Sequence, residues 1–548
     1  MTQLAEEQRE GSRSRAGTTA LAAGMLAAAC VYGLRLDRAA GLVVDDAWYV
    51  LLGRALARGE GYRLVSSAAT AIMPVVPPGF PAILSLVFRF SPDFPQNVLL
   101  LKSVSIAAML GAGLLTYRFF ARYRAMPWPL AVGITVAMLL TPGLVFLATS
   151  TVMAESVFVF GQMLTIVVIE AGARGDDEVV GRRSTVAAAV LAAATMLVRS
   201  TGLALIVAVA CYLLKAGRVK RASLFAAVAL ACLLPWTLYA RAHEPTDAQR
   251  LAHGGSIAFA YSDSMRMRVA ASPASGRATL GELPARAWSN LITVFGSDMG
   301  GVFVPAFFRS PDESGEEVVA LGGRSGPGAG NMGRATATMV ISFVLSAIAL
   351  VGYVRAARTS LTAAELLVPI SLALTVAVPF QTFRYVLPLA PFMFFYLVEG
   401  VRTATVWCER VANTTRRDPW RVARVVLLCL IGFDVLDHAQ YVFDARNADR
   451  VGAVDWIGDS REVDALLDWM KQNLVQDGAV ATTNPPLVFL ATGRKTLAID
   501  GYQDNWRRWK ADGVRYAVAL RPVSLPESPA VYRVLYQSSR RKLWVIEL

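Results

Sequence analysis

Long apolar segments separated by short clusters of charge dominate the hydrophobic pattern of this chain. A bilayer core of about 30 Å requires roughly 20 apolar residues per helix, and about eleven segments approach that length. They lie near residues 17–35, 98–117, 128–147, 154–171, 185–198, 201–216, 222–240, 335–354, 363–380, 384–401 and 421–441. The pattern therefore predicts a mainly α-helical polytopic membrane protein.

The distribution of Lys and Arg predicts how this protein is oriented. Cytoplasmic loops of membrane proteins carry an excess of these residues. With the N-terminus inside, the inside segments contain 21 of them, whereas the short outside turns contain only Arg199 and Arg384. We therefore expect residues 1–16 to form a cytoplasmic tail, and the C-terminus to lie outside the cytoplasmic (inner) cell membrane.

Composition agrees with a membrane protein and limits the other classes. Of the 548 residues, 55% are hydrophobic and 17% are charged, whereas soluble domains carry about 25% charged residues. The net charge of +13 could indicate nucleic-acid binding, but no basic face or known binding module accompanies it. Four of the five cysteines lie in apolar segments without metal-like spacing, as small core residues do.

The orientation divides the chain into a membrane domain and three outside segments. The membrane domain covers residues 17–441 and includes two long extracytoplasmic loops, 36–97 and 241–334. Residues 442–548 follow as a small soluble α/β extracytoplasmic domain, because an amphipathic helix precedes short apolar segments typical of strands. The predicted strands are Ala479–Thr482, 496–499 and 515–520.

The first outside loop contains a one-sided helix that is too short to span a membrane. Trp48, Leu51, Leu52, Ala55 and Leu56 follow the helical spacing of an apolar face. We expect this helix to lie along the membrane surface, with its arginines on the wetter side. In the middle loop, the Gly-rich residues 322–328 are typical of a mobile lid or of a linker.

Several polar residues gather at the outer ends of the predicted helices. Ionisable groups at membrane depth are costly and usually face a cavity. A carboxylate there could accept a proton from an attacking hydroxyl, and cationic groups could hold a phosphate. The catalytic candidates are Asp45, Asp46 and Glu155, and the donor-binding or phosphate-binding candidates are Lys102, Arg199, Arg384 and Tyr385.

Structural roles for the same residues remain open at this point. Asp45 or Asp46 could cap the surface helix, and Glu155 could interact with a helix dipole. Lys102 and the two arginines could be anchors at the membrane interface. The acids could also hold a divalent cation through oxygen ligands, but no histidine joins them, so the sequence leaves metal binding undecided and indicates no certain cofactor.

Five short motifs carry a resemblance to a known superfamily. They are Asp45-Asp46-Ala47-Trp48-Tyr49, Pro78-Gly79-Phe80-Pro81, Met153-Ala154-Glu155-Ser156, Arg199-Ser200-Thr201-Gly202, and Arg384-Tyr385 followed by Pro388 and Pro391. In this order the chain resembles the membrane glycosyltransferases of the GT-C superfamily over about residues 17–402. The branch it resembles contains the aminoarabinose transferases and the protein O-mannosyltransferases.

The resemblance implies a reaction and its partners. It implies a hexosyl- or pentosyltransferase that uses a polyprenyl-phosphate-linked sugar donor and an acceptor hydroxyl of a glycan, lipid or protein outside the membrane. Asp45 matches the first acidic position of the family and would be the general base of an inverting transfer. Asp46 stands where many relatives have Glu, and Arg199 precedes Ser-Thr-Gly where relatives often have Pro-Glu-Gly.

Two other classes of function are compatible with the hydrophobic pattern. A transporter or flippase of lipid-linked sugars also needs a polar cavity, but it predicts inverted repeats and ionisable residues near the membrane midplane. A non-enzymatic scaffold could use the exported tail to bind a cell-wall polymer. Because the charged residues lie at the outer helix ends, the sequence favours the enzyme.

Overall fold

Helices make up most of the molecule. The computed structural model describes residues 2–41, 43–68, 71–174, 178–253, 257, 261–268, 276–304, 332–379, 382–412, 418–446, 455–475, 478–499, 506–511, 513–521, 525, 532–538 and 543–548. From the N-terminus to the second long loop, the helices are α1 (Thr2–Arg35), α2 (Asp45–Ala57), α3 (Gly79–Phe90), α4 (Val98–Arg118), α5 (Trp128–Leu140), α6 (Pro142–Thr149), α7 (Glu155–Arg174), α8 (Glu178–Val198), α9 (Leu203–Lys215) and α10 (Val219–Ala242).

The second half of the chain adds further helices and one sheet. The helices are α11 (Asp247–His253), α12 (Tyr261–Arg266), α13 (Glu282–Thr293), α14 (Met299–Phe303), α15 (Met332–Thr359), α16 (Ala363–Ala377), α17 (Phe383–Val386), α18 (Ala390–Val411), α19 (Pro419–Arg446), α20 (Asp455–Asn473), α21 (Pro485–Thr492) and α22 (Trp506–Ala511). The strands are β1 (Ala479–Thr482), β2 (Thr496–Ala498), β3 (Val514–Ala519), β4 (Arg533–Gln537) and β5 (Trp544–Glu547).

The helices agree with the predicted multi-pass membrane protein. Each of the eleven apolar segments is mainly helical. By length and composition, seven helices in the described part of the chain could cross a membrane, or up to eight if the bent pair α5 and α6 is one span. Two of the remaining predicted spans, α9 and α16, are shorter apolar helices. A chain of this kind lies in a membrane with several crossings.

A break divides one predicted span, 128–147, into two helices. Helix α5 ends at Leu140, and α6 begins at Pro142 with a bend of 52° between them. Proline lacks the amide hydrogen that would continue the hydrogen-bond ladder, so it is tolerated at the start of a helix and breaks its interior. The second half of this span is therefore redirected, and it contacts α7.

Glycines allow two of the long helices to approach closely. A Cβ atom at Gly352 of α15 would lie 1.8 Å from the carbonyl oxygen of Tyr396 in α18. A Cβ atom at Gly400 of α18 would lie 1.9 Å from the carbonyl oxygen of Ile348 in α15. Small residues at such crossings let membrane helices gain van der Waals contact that lipid cannot replace. This crossing therefore fixes α18, whose preceding segment carries Arg384.

Residues 36–97, which we predict as the first outside loop, contain two helices that pack within the protein. The apolar face predicted for α2 is buried within the protein, against α3 and the tail domain, and does not face the membrane surface. Arg54 contacts the tail domain, since its guanidinium carbon lies 5.3 Å from the ring centre of Phe489. Gly79, the first residue of α3, is required by close packing, since a Cβ atom there would lie 2.6 Å from the Leu197 carbonyl oxygen.

The middle loop contains more helix than its composition indicates. Helix α13 is amphipathic and continues through a π-helical turn, Val294–Asp298, into α14. Its Asn290 amide donates to the carbonyl oxygens of Val376 and Val378, at 3.0 and 2.8 Å, at the end of α16. The Gly-rich segment 322–328, which we predict as a lid or a linker, lies outside the described residues.

The tail forms the predicted small α/β unit. Its five-stranded sheet has the order β2-β1-β3-β5-β4. The first three strands pair in parallel and were all predicted, with ends that differ by one residue at most. The antiparallel strands β4 and β5 were not predicted. The protein is thus mainly α-helical with a small C-terminal α/β domain, as the sequence predicts.

The close crossing of α15 and α18 gives a stability prediction. Gly400→Ala should lower the free energy of unfolding by about 1–3 kcal/mol, because the added methyl group forces two backbones apart. Gly432→Ala, in α19, is a matched control with no atom within 4 Å of the new Cβ. Thermal unfolding in detergent measures both variants, and equal midpoints would contradict the tight crossing.

Candidate active site

Glu155 is the centre of a buried ion-pair cluster. It is the first residue of α7, and its side chain is completely buried. Its Oε1 atom accepts hydrogen bonds from Nε and Nη2 of Arg384, at 3.1 and 2.9 Å. The same oxygen forms an ion pair with Nη1 of Arg199. One carboxylate therefore holds two guanidinium groups side by side.

Asp45 is the second carboxylate of the cluster and its exposed member. Nη1 of Arg384 donates to Oδ2 of Asp45 at 2.9 Å. The Asp45 side chain is 46% exposed, whereas that of Glu155 is fully buried. Arg384 thus connects a buried acid to one that a substrate can reach.

Strained backbone precedes Asp45. Val44 has a φ of 65° and a ψ of −54°, a conformation that a β-branched side chain rarely adopts. Residues in such conformations cost free energy and occur preferentially at functional sites. The Asp45 amide donates to the Val43 carbonyl oxygen at 2.7 Å, which completes a tight turn. The turn sets the direction in which the Asp45 carboxylate leaves α2.

The segment that carries Arg384 is a short helix held at both ends. It spans Phe383–Val386, and the turn Leu387–Leu389 leads from it into α18. At its start, the Thr382 hydroxyl donates to Oδ2 of Asp298 from the middle loop. Burial raises the pKa of Asp298 to about 7. The sequence did not indicate Asp298, because it lies in no recognisable motif and 84 residues before Thr382.

Arg199 reaches the cluster from the opposite side. It lies between α8 and the short turn Ser200–Gly202, with extended backbone. Its guanidinium carbon lies 5.6 Å from the ring centre of Tyr385, a cation–π contact. A Cβ atom at Gly202 would lie 2.6 Å from the Met196 Cα atom, so this tight turn requires glycine.

A narrow pocket adjoins Arg199 and Tyr385. Polar groups of three elements line it together with Arg199: Gln162 of α7, Thr375 of α16, and Tyr385 of α17. The Gln162 amide donates to the Pro388 carbonyl oxygen at 2.9 Å, which fixes one wall. A planar guanidinium has five N–H donors, so Arg199 can contact Glu155 and still present donors to a ligand here.

Asp46 and Lys102 lie in a separate polar cluster. Asp46 is completely buried and accepts hydrogen bonds from the amides of Gly41 and Ala47, at 2.7 and 3.0 Å. Burial raises the pKa of Asp46 to about 6. Nζ of Lys102 donates to Oδ1 of Asp37 at 2.8 Å and to its carbonyl oxygen at 2.9 Å. Five of the seven candidates, Glu155 included, therefore lie in one cluster. Asp46 and Lys102 lie outside it and bind other residues of the first loop.

The cluster around Glu155 contains two acids and two bases, so its formal charges balance. Buried charges are tolerated when they are paired and hydrogen-bonded. Within the described part of the chain, no three His, Cys, Asp or Glu side chains lie close enough together to hold a metal ion. The arrangement can bind an anion through its guanidinium groups and accept a proton at Asp45.

Comparisons of sequence find no relative. No model of a protein family matches the chain, and no curated protein does.

Comparisons of structure find membrane glycosyltransferases. ArnT from Cupriavidus metallidurans bound to undecaprenyl phosphate superposes with a TM-score of 0.57 at 12% identity, over 96% of this chain and 97% of ArnT. The oligosaccharyltransferase of Archaeoglobus fulgidus tethered to an acceptor peptide gives a TM-score of 0.55 at 13% identity, over 91% of this chain and 68% of that enzyme. Its apo form gives 0.53 at 13% identity, over 92% and 69%. This chain is a multi-pass membrane protein with the GT-C fold.

Proposed function

We propose that this protein is a glycosyltransferase that moves a sugar from a polyprenyl-phosphate donor to an acceptor hydroxyl outside the cytoplasmic membrane. The observation that carries the proposal is the pair of guanidinium groups held by Glu155 beside the exposed Asp45. The GT-C fold supports it, since ArnT with the same fold binds undecaprenyl phosphate. The acceptor is a glycan, a lipid or a protein.

The reaction we propose is a single displacement. The acceptor oxygen forms a bond to the anomeric carbon and loses its proton to the Asp45 carboxylate. The bond between the anomeric carbon and the phosphate oxygen breaks, and its electron pair leaves with the polyprenyl phosphate. The sugar passes through a cation-like transition state, as in glycoside hydrolysis. One displacement inverts the configuration of the anomeric carbon.

In this proposal the two arginines have different tasks. Arg199 lines the pocket beside Tyr385 and binds the donor phosphate, whose negative charge grows as the bond breaks. Arg384 donates to both Glu155 and Asp45, so it fixes the base relative to the phosphate. Glu155 itself has no contact with solvent, and we assign it the task of orienting both guanidinium groups.

Asp46 and Lys102 support the site in this proposal and do not react. Asp46 is buried against the Gly41 amide, and Lys102 is paired with Asp37, so neither is directed at the Arg384 cluster. The orientation predicted from the Lys and Arg counts places the cluster on the outer side of the cytoplasmic membrane. In this orientation, the acceptor would therefore bind to the site only after the acceptor has been exported.

The first prediction concerns the general base. Asp45→Asn should reduce kcat by about 100-fold or more, because an amide cannot accept the acceptor proton. The assay uses purified protein with radiolabelled polyprenyl-phosphate hexoses and pentoses and measures both donor consumption and product formation. Asp93→Asn, an exposed change in the same loop, is the matched control. Wild-type turnover by Asp45→Asn at equal protein levels would remove Asp45 from the reaction.

The second prediction concerns the bridging arginine. Arg384→Lys keeps the charge, but a single ammonium cannot reproduce the planar contacts to Glu155 and Asp45. We expect kcat/KM for the lipid-linked donor to fall about tenfold to 100-fold, the cost of misplacing a reacting group. Arg358→Lys, an exposed change at the end of α15, is the control. An unchanged kcat/KM would show that Arg384 is only a structural anchor.

A further inference from the structure

The tail domain is joined to the first outside loop by backbone hydrogen bonds. The Thr496 amide in edge strand β2 donates to the Ser66 carbonyl oxygen at 2.8 Å, and the Ala68 amide donates to the Thr496 carbonyl oxygen at 3.0 Å. Nζ of Lys495 donates to the Val65 carbonyl oxygen at 2.7 Å. Residues 66–68 thereby continue the sheet of a domain that lies about 430 residues later in the chain.

A second connection leads from the tail to the base of α2. Nδ2 of Asn484 donates to the Gly41 carbonyl oxygen at 2.5 Å. The Gly41 amide donates to Oδ2 of Asp46 at 2.7 Å. Asn484 and Asp46 are both buried, at 4% and 0% exposed, so water does not compete with these bonds. The two hydrogen bonds form a continuous path from the tail to the residue next to Asp45.

Both the backbone conformation and the packing at residue 41 require glycine. Its φ of +86° lies in the region that favours glycine. A Cβ atom there would lie 2.7 Å from Cδ1 of Leu487 in α21. The tail helix therefore packs directly against the Gly41 backbone, and any side chain at residue 41 would push the two apart.

Asn484 uses the two ends of its amide for two different contacts. Oδ1 accepts from the Leu487 amide at 3.3 Å and caps α21. Nδ2 donates to Gly41. Asp caps helices as well as Asn does, but an aspartate has no hydrogen to donate. Asn484→Asp therefore removes the contact to Gly41 and preserves the cap.

We propose that Asn484 is a positioning residue for the transferase site, because its amide holds Gly41 and Gly41 holds the start of the helix that carries Asp45. The tail is then a part of the active site through this path, although it contributes no reacting group. The inference rests on the proposed function, in which Asp45 is the general base.

The kinetic test compares Asn484→Asp with wild type. We expect kcat for the radiolabelled polyprenyl-phosphate sugar to fall about tenfold or more with the donor KM unchanged. The assay temperature lies well below the unfolding midpoint of both proteins, because the unpaired Gly41 carbonyl oxygen and the buried carboxylate also lower the midpoint of the variant. Asn473→Asp is the matched control, since Asn473 is an exposed amide in the same domain. A wild-type kcat for Asn484→Asp at this temperature would overturn the inference.

The pH dependence of kcat distinguishes this positioning role from a purely structural one. When the carboxyl group introduced by Asn484→Asp is protonated, it again has a hydrogen to donate to Gly41. The ratio of variant to wild-type kcat should therefore rise as the pH is lowered, whereas the ratio for Asn484→Ala should stay low and flat. A ratio for Asn484→Asp that stays flat or decreases as the pH is lowered would contradict the path through Gly41.

A measurement without substrate separates this inference from the proposed function. Hydrogen exchange of the peptide that spans residues 41–47 should be faster in Asn484→Asp than in wild type, and unchanged in Asn473→Asp. If wild type transfers no sugar from any lipid-linked donor but exchange responds, the proposed function fails and the connection stands. If wild type transfers sugar and exchange does not respond, the connection fails alone.

Discussion

The candidate site depends on the neutralisation of one buried carboxylate. An isolated charge at the depth of Glu155 would cost several kcal/mol, which paired and hydrogen-bonded partners must offset. Arg199 and Arg384 reach it from different segments, so the ion pairs also bring α7, the end of α8 and the segment before α18 together. The same contacts that make the charge tolerable set the distance between the arginines and Asp45.

Much of the fold could be predicted from hydrophobic length alone. All eleven apolar segments are helical because a bilayer admits few other structures. Helix α13 and strand β4 were not predicted, and each has a physical reason. Helix α13 has apolar residues on one face only, in a segment rich in Gly, Ser and Pro, so composition indicated a loop. Strand β4 is half-exposed at the edge of the sheet, where the apolar alternation is weak.

The grouping of most site residues was predictable from the sequence, but their individual partners were not. Counting Lys and Arg gathers seven polar residues at one face, and five of them do meet around Glu155. Lys102 lies outside this cluster because its ammonium group forms an ion pair with Asp37. Asp37 belongs to none of the motifs in the sequence. Asp46 follows Asp45 directly, yet successive residues of a helix point in different directions, so only one faces the cluster.

The connection between Gly41 and Asn484 has a consequence for biosynthesis. The two residues are 443 positions apart, so their hydrogen bond cannot form until the ribosome has passed residue 484. Chains fold from the N-terminus as they emerge, and in the orientation that we predict the tail domain must also cross the membrane before it can contact the first loop. If the function and the role of Asn484 that we propose are correct, catalytic competence arises late in assembly, and partly inserted chains would not transfer sugar.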